Sequence, residues 1–225
     1  MSTEDIRRRL NQAAAGNDIE NISALIAVGV SPDSRSPIDD RTPLDLAVWN
    51  NHPDAVEILL NAGADPEAAI GEYRETTALR YAAPRRMVAV AEKLLTAGAR
   101  PDGRLDEGQA TPLMLAAAQG DLEMMQLLLE HGASSNSSSP KELDATAPGS
   151  RANLPTSTPL SSAAHNGSLE AVQLLLRYGA MPHREALEAA VRGMNRAQPN
   201  GSDTRRAARN EYRAVRDLLE NALRH

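Results

Sequence analysis

Five glycines recur along this 225-residue chain at a nearly constant spacing, each after a leucine-rich segment. They are Gly29, Gly63, Gly98, Gly132 and Gly179, and the gaps between them are 34, 35, 34 and 47 residues. A threonine stands 21 residues before each of the last four. Units of this length that repeat at a fixed period cannot bury their apolar faces alone. The spacing therefore predicts a stack of similar units.

Each unit is predicted to consist of two helices joined by a polar turn. Thr42, Thr111 and Thr158 are typical N-cap residues, and the proline after each stands where a missing N–H costs nothing. A glycine after the second helix suits the left-handed conformation that ends many helices. The four full units read TPLDLAVWNNHPDAVEILLNAGA, TALRYAAPRRMVAVAEKLLTAGA, TPLMLAAAQGDLEMMQLLLEHGA and TPLSSAAHNGSLEAVQLLLRYGA.

These segments resemble the ankyrin repeat, which opens with Thr-Pro-Leu-His and closes with Leu-Leu-Leu and Gly-Ala. The resemblance covers nearly the whole chain and implies an all-α ankyrin-repeat solenoid of about six helix-turn-helix units with short β-hairpin fingers. We expect a single domain over residues 1–225. Its parts are an N-terminal capping repeat (4–34), four full repeats (41–66, 76–101, 110–133 and 157–181), a Ser/Pro-rich insertion (134–157) and a C-terminal cap (184–225).

Composition and motifs argue against several functions. The chain has no cysteine, a net charge of −6 and no apolar run of the length that a membrane span needs. We therefore expect a cytoplasmic protein that binds neither membrane nor nucleic acid, and the excess of arginine over lysine favours a bacterial source. Phosphate-binding glycine loops and metal-ligand spacings are missing, which predicts no cofactor, no metal and no enzyme activity. Ser161 and His165, four residues apart, are the weak exception.

One helix face departs from the ankyrin pattern. The histidine of the family motif is replaced in every full repeat, and the residue four positions later lies on the same face. The resulting stripe runs Asp45/Trp49, Arg80/Pro84, Met114/Ala118 and Ser161/His165. By resemblance, this face and the finger tips line the concave side, where partners of ankyrin proteins bind. Trp49, the only tryptophan, is either part of a binding surface or an incidental aromatic packed on the next repeat.

The repeat over 76–101 is the most irregular. Pro84 is expected to end its first helix early, with Arg85 in the following turn. That irregularity indicates either a functional loop or simple degeneration of the repeat. Tyr81 is predicted to be a buried core residue.

The connections between repeats are also candidates for recognition. Two long fingers carry Tyr73, Arg74, Arg104 and Glu107, and exposed loop tips on rigid scaffolds often bind partners. The insertion over 134–157 is interpreted as a passive loop, with ordering by a partner as the alternative.

These observations predict a non-enzymatic module, monomeric on its own, that occludes a protein partner. The expected binding residues are Asp45, Trp49, Tyr73, Arg74, Arg80, Arg85, Arg104, Glu107, Met114 and His165. An acidic chain suits a basic partner, so the specific hypothesis is an immunity protein that neutralises a basic toxin or enzyme. The alternative is an effector or scaffold that docks onto a host or regulatory protein.

Overall fold

A computed structural model of the chain describes residues 3–36, 40–70, 76–103, 109–139, 158–196 and 203–224. The chain divides into two compact units, Met1–Gly103 and Arg104–His225. They are called the N-terminal unit and the C-terminal unit. Tyr73, Arg74, Arg104 and Glu107 lie outside the described residues.

The N-terminal unit contains three consecutive pairs of helices. They are α1 (Thr3–Ala15) with α2 (Ile19–Ala27), α3 (Pro43–Trp49) with α4 (Pro53–Asn61), and α5 (Ala78–Ala82) with α6 (Val88–Thr96). Helix α3 packs on both α1 and α5, and α4 packs on α2 and α6. A short antiparallel hairpin of β1 (Ala69–Ile70) and β2 (Thr76–Thr77) precedes α5 and pairs Ala69 with Thr77. The predicted helix pairs and β-hairpin finger are confirmed.

The C-terminal unit repeats the arrangement with three more pairs. They are α7 (Pro112–Gln119) with α8 (Leu122–Glu130), α9 (Pro159–Asn166) with α10 (Leu169–Arg177), and α11 (Arg184–Arg196) with α12 (Asp203–Ala222). Helix α9 packs between α7 and α11, and α12 packs on α10 and α11. The last helix, at 20 residues, is the longest of the described chain.

Threonine hydroxyls begin the first helix of each full repeat. Thr42, Thr77, Thr111 and Thr158 all have extended backbones. Each Oγ1 accepts the N–H of the residue three positions later, at donor–acceptor distances of 3.1, 3.4, 3.3 and 3.0 Å. These bonds satisfy N–H groups that have no partner within the helix. The N-caps expected at Thr42, Thr111 and Thr158 are therefore confirmed.

Glycine ends the second helix of each full repeat, as at Gly63, whose φ is +93°. The Gly63 N–H donates to the Leu60 carbonyl at 2.9 Å, and the Ala64 N–H donates to the Leu59 carbonyl at 3.0 Å. This pair of bonds satisfies the last carbonyls of α4, and the left-handed φ costs glycine nothing.

Small and aliphatic side chains fill both interiors. The fully or almost fully buried side chains of the N-terminal unit include Leu44, Ala47, Val56 and Leu59. Those of the C-terminal unit include Leu113, Met124, Met125 and Leu128. Alanines at Ala47, Ala82, Ala116 and Ala163 let neighbouring helices approach closely. Among the described helices, none combines the length and the apolarity that crossing a membrane requires.

The repeat over 76–101 departs from the others at its internal turn. Helix α5 ends after five residues and continues as a 3₁₀ turn over Ala83–Arg85. Pro84 lacks the N–H that a further α-helical turn would use, so the early end expected from the sequence is confirmed. Arg86 follows with φ 58° and ψ 31°, the left-handed conformation that Gly120 and Gly167 adopt in other repeats.

Replacing Arg86 by glycine is expected to stabilise the fold. A left-handed conformation costs a residue with a Cβ roughly 1–2 kcal/mol, whereas glycine adopts it freely. After the greater unfolded-state entropy of glycine is subtracted, Arg86→Gly should raise the free energy of unfolding by about 1 kcal/mol in urea titrations. Arg85→Gly, one residue earlier in the helical region, should instead lower it by about 0.5–1 kcal/mol. A lower stability of Arg86→Gly than of the unchanged protein would contradict this interpretation.

Candidate functional site

In three of the four pairs that make up the predicted stripe, the first residue is buried. Met114 is 1% exposed and Asp45 is 3% exposed, and Ser161 is buried in the same position of its repeat. Each is the third residue of its helix, three positions after the N-cap threonine. The prediction that Asp45 and Met114 lie on an accessible surface is therefore wrong.

Arg80 stands at this position in the remaining full repeat and is half-buried. Its Nη1 donates to Oγ1 of Thr76 at 3.4 Å, across the junction between β2 and α5. Arg80 therefore contacts the strand that directly precedes its own helix.

The surface of the first helices is formed by residues one turn later. Trp49 is 44% exposed, and Ala118 and His165 are exposed at the matching positions of the C-terminal unit. Pro84 is half-buried, and Arg85 beside it is exposed. The predicted residues Trp49, Arg85 and His165 are thus accessible, and their role in binding stays a prediction.

Four side chains of the N-terminal unit form a row of ring contacts, here called the aromatic ladder: Arg41, Trp49, Tyr81 and Arg85. The Trp49 and Tyr81 rings stack with centroids 5.2 Å apart and planes inclined by 24°. The Arg41 guanidinium carbon lies 4.6 Å from the centroid of Trp49, and that of Arg85 lies 3.6 Å from the centroid of Tyr81. Guanidinium groups at these distances are attracted to the electron-rich ring face.

The aromatic ladder joins two repeats. Trp49 ends α3, whereas Tyr81 belongs to α5 of the following repeat. Tyr81 is half-buried, so the prediction of a buried core residue is wrong: its ring lies against Trp49 at the surface. Packing of Trp49 on the next repeat and a place for Trp49 in a binding surface are therefore compatible, because its ring contacts Tyr81 while the residue as a whole stays 44% exposed.

The irregular turn after α5 places Arg85 on the aromatic ladder. Its Nη1 donates to the Tyr81 carbonyl at 3.0 Å while its guanidinium covers the Tyr81 ring. The carbonyl is available because Pro84 and the 3₁₀ turn replace the regular helix at this point. The proline is visible in the sequence, whereas the stack of Trp49 on Tyr81 depends on two repeats being adjacent.

Two residues that sequence reasoning missed connect repeats in the C-terminal unit. Asn136, at the start of the predicted insertion, donates from Nδ2 to the Gly179 carbonyl at 2.9 Å and accepts the Met181 N–H at 2.7 Å. His183 precedes α11, and its Nδ1 accepts the Ala186 N–H at 3.0 Å. Its Nε2 lies 2.9 Å from Oγ1 of Thr158. Since Nδ1 is an acceptor, a neutral ring donates from Nε2 to that hydroxyl.

Two substitutions of His183 should distinguish how much each of its two hydrogen bonds contributes to stability. His183→Ala is expected to lower the free energy of unfolding by about 1–2 kcal/mol, because both hydrogen bonds are lost. His183→Asn keeps a side-chain acceptor for the helix N-terminus and loses only the link to Thr158, so its loss should be about half as large. Urea unfolding followed by circular dichroism measures both, and equal losses would show that the cap bond contributes nothing.

Two groups with shifted pKa values support the scaffold. The Asn21 side chain and backbone N–H both donate to the Asp18 carboxylate, at 2.6 and 3.1 Å, and hold the pKa of Asp18 below its usual value. Glu57 on α4 lies 3.0 Å from Lys93 Nζ on α6 and raises the pKa of that lysine. The charged Asp18 carboxylate thus caps the start of α2, and the charged Lys93 forms an ion pair that joins α4 and α6.

The Ser161 hydroxyl takes part in the cap of its own helix. Ser161 Oγ donates to the Thr158 carbonyl at 3.0 Å and accepts the Thr158 N–H at 2.9 Å, so its hydroxyl serves the helix cap. Within the part of the chain that the structure describes, no group of three or more His, Asp or Glu side chains is placed to hold a metal ion. What the surface does offer is a fixed aromatic and cationic patch.

Comparisons with known proteins agree on one family. Family models described as "Ankyrin repeats (many copies)" match residues 10–60 and 113–176, and "Ankyrin repeats (3 copies)" matches residues 70–139. The chain is 31% identical over 127 residues to the ankyrin repeat and KH domain-containing protein mask-1 of Caenorhabditis elegans. That alignment covers 56% of this chain and 5% of mask-1.

Solved structures share the fold at lower identity. The human ASB11 ankyrin repeat domain is 24% identical with a TM-score of 0.65, over 95% of this chain and 82% of that one. An ankyrin repeat domain from Acinetobacter baumannii AYE is 23% identical with a TM-score of 0.68, over 95% and 96% of the two chains.

Proposed function

The chain belongs to the ankyrin-repeat family, whose repeats form a protein–protein interaction module, and from this premise we propose that it binds its protein partner through the aromatic ladder. The observation that supports the site is the stack of Trp49 on Tyr81 with an arginine over each ring. Trp, Tyr and Arg are the residue types that carry most of the energy in protein interfaces. A residue already held in place also loses less entropy on binding.

The ladder combines exposure with rigidity. Trp49 keeps 44% of its surface accessible although Tyr81 and Arg41 lie against its ring. Arg85 is exposed as a residue, and the contacts of its guanidinium to the Tyr81 ring and carbonyl hold that group in place. A partner can therefore cover an apolar ring and a fixed cation at once.

The role that we propose for this binding is occlusion of a toxin in a bacterial cytoplasm. The net charge of −6 supports a partner of basic overall charge, because complementary fields speed association. Docking of the chain onto a host or regulatory protein, as an effector or scaffold, is the alternative. Growth of cells that express the captured partner, with and without this chain, separates the two: restored growth identifies neutralisation.

Affinity capture from lysate of the source organism tests the binding surface. We expect the unchanged chain to retain a partner that Trp49→Ala/Arg85→Ala loses, because substitutions at interface hot spots weaken binding by about 2 kcal/mol or more, roughly 30-fold. Mass spectrometry identifies the partner, and purified proteins then give the Kd.

Val28→Ala/Arg8→Ala is the matched control. It removes one exposed apolar side chain and one exposed arginine from the same unit, away from the ladder. Circular dichroism establishes that both variants fold. A partner that binds both variants as tightly as the unchanged chain would place recognition outside the aromatic ladder.

A further inference from the structure

The C-terminal cap carries a charge opposite to that of the rest of the chain. Residues 184–225 contain nine arginines against six aspartates and glutamates, whereas residues 1–183 contain 15 lysines and arginines against 24 acidic residues. The net charge of the whole chain is −6. The cap, which consists of α11 and α12, is therefore a basic region of an acidic protein.

Two arginines of α12 lie one helical turn apart on the same face. Arg209 and Arg213 are separated by four residues within the helix, which corresponds to a rise of about 6 Å. Arg213 is exposed and Arg209 is half-buried. Because the buried Val215 and Leu219 face the neighbouring helices, the two arginines lie beside the packed face of α12.

Neither of these two arginines has an ionic partner within the part of the chain that the structure describes. In Arg209, the Nε atom is buried and has no hydrogen-bond acceptor there. Arg216 differs, because its Nε donates to Asp217 Oδ1 at 2.9 Å and lies 3.7 Å from Glu220 Oε1. The charges at the C-terminal end of α12 are therefore paired, whereas those of Arg209 and Arg213 are not.

The acidic residues on the helices around α12 are placed elsewhere. Glu188 of α11 lies 3.2 Å from Arg184 and 3.8 Å from Arg192. Asp203, the first residue of α12, stands six residues before Arg209, a rise of about 9 Å along the helix. Helix α9 contains no acidic residue. The described acidic residues of α10, α11 and the first half of α12 that remain are Glu170, Glu185 and Glu211, and none of these three forms an ion pair with Arg209 or Arg213.

This arrangement of like charges is unfavourable for the cap alone. Arginines four residues apart on a helix repel each other, and arginine also occupies positions 205 and 206, four and three residues before Arg209. A buried guanidinium N–H without an acceptor is a second unfavourable feature. An anionic group that binds from outside relieves both.

We propose that Arg209 and Arg213 bind an acidic segment of a partner protein, at a surface separate from the aromatic ladder. A guanidinium group donates two parallel hydrogen bonds to one carboxylate. Alternate side chains of an extended segment lie on one side and about 7 Å apart, which is close to one helical turn. Acidic residues at alternate positions therefore fit the two arginines.

This second surface does not depend on the aromatic ladder. It requires only that the chain binds protein, as ankyrin-repeat modules do. A partner of basic overall charge remains compatible with it, because long-range attraction follows net charge whereas this contact follows local charge.

A protein segment fits the surface better than nucleic acid does. Single strands are held by a basic groove together with aromatic rings on which the bases stack. Tyr212, the only aromatic residue of α12, packs its ring on Gly167 and Gly193. Its hydroxyl donates to the His165 carbonyl at 2.8 Å. The ring is therefore engaged within the cap, and the net charge of −6 opposes the approach of a phosphate backbone.

Fluorescence anisotropy with a defined probe tests the site. The probe is a fluorescein-labelled peptide of eight residues in which Glu and Ser alternate, and the control peptide has Gln in place of each Glu. We expect the full chain to bind the acidic probe at least about tenfold more tightly than the control, because charge-assisted hydrogen bonds are the stronger ones. Raising the ionic strength from about 0.01 M to about 0.15 M should weaken this binding, since the charges are screened at the surface.

Two double variants with the same change in charge distinguish the site from the general field of the protein. Arg209→Gln/Arg213→Gln should weaken binding of the acidic probe at least about tenfold. Arg7→Gln/Arg8→Gln, on exposed positions of α1, should change the Kd less than about twofold. Arg209→Lys/Arg213→Lys keeps both charges but loses the planar group, so its Kd should lie between those of the unchanged chain and the glutamine variant.

The stability of the glutamine variant separates binding from a structural role. The midpoint of urea unfolding of Arg209→Gln/Arg213→Gln should equal that of the unchanged chain, because the described chain offers these guanidinium groups no ion pair to lose. Weaker binding of the probe together with an unchanged midpoint is the expected combination. A midpoint that falls in parallel with the affinity would assign the two arginines to the cap instead.

Four further outcomes overturn the inference. Equal affinity for the two peptides, no saturable binding, or unaltered binding by Arg209→Gln/Arg213→Gln rejects the site. Loss of the acidic probe by Trp49→Ala/Arg85→Ala would show that the two surfaces are not separate. A labelled 12-nucleotide oligouridine that binds more tightly than the acidic probe, through the same two arginines, would identify nucleic acid as the ligand. A dimer at low salt that Arg209→Gln/Arg213→Gln abolishes in light scattering would identify a second copy of this acidic chain. Failure of the capture experiment leaves each of these results unaffected.

Discussion

Removal of residues 203–225 is expected to turn the chain into an aggregating protein. Helix α12 contributes Val215 and Leu219, both fully buried, to the contact with α10 and α11. Burying each of these side chains contributes about 1.5–3 kcal/mol, so about 3–6 kcal/mol of stabilisation is lost. The truncation also uncovers the surfaces of α10 and α11 on which α12 packs, and uncapped repeat stacks associate through such faces.

Size-exclusion chromatography with light scattering measures this outcome. Val215→Ala/Leu219→Ala in the full chain should lower the free energy of unfolding by several kcal/mol without removing the helix. Arg213→Ala, on the exposed side of the same helix, should change it by less than about 0.5 kcal/mol. A soluble, monomeric truncation that unfolds cooperatively would contradict the assignment of α12 as a cap.

Tyr212 is expected to attach this cap through both packing and a hydrogen bond. Its hydroxyl donates to the His165 carbonyl at 2.8 Å, and its ring lies over Gly167 and Gly193. Tyr212→Ala should lower the free energy of unfolding by about 2–3 kcal/mol through lost packing and the lost hydrogen bond. Tyr212→Phe keeps the ring and should lose only about 1 kcal/mol.

Gly193 provides the matched test of the same contact. A Cβ there would collide with the Tyr212 ring and lie 3.0 Å from the His165 carbonyl oxygen. Gly193→Ala should therefore destabilise the unchanged protein by about 1–2 kcal/mol, although alanine favours the helix by up to about 1 kcal/mol.

In the Tyr212→Ala background the ring collision is absent, so Gly193→Ala should lose most of its cost. Urea unfolding of the four proteins gives the coupling energy of this double-mutant cycle. Additive effects would show that the ring does not pack on Gly193.

The capping signals allowed much of the fold to be predicted. Thr42, Thr111 and Thr158 cap their helices, and Gly63 ends α4, because these interactions involve residues at most five positions apart. The helix pairs follow from the leucine spacing between those signals. The early end of α5 at Pro84 was predictable for the same reason: a missing N–H acts within one helical turn.

The candidate site was predicted less well because it depends on neighbouring repeats. Trp49, Arg85 and His165 are exposed as expected, but Asp45 and Met114 are buried. The predicted stripe combines motif positions of the ankyrin repeat with helical spacing, and these indicate which residues share a face but not which part of that face the next helix covers. In the described part of the C-terminal unit, α9 packs on α7, the helix that carries Met114.

The period and the family could be recognised from the spacing of similar segments along the chain, and the helix ends from capping signals within each repeat. The stack of Trp49 on Tyr81, the position of Arg85 over the Tyr81 ring and the packing of Tyr212 on Gly193 are visible only in the folded chain. These contacts join residues 19 or more positions apart or lie across an irregular turn, so their geometry is set by how the helices pack and no local pattern encodes it.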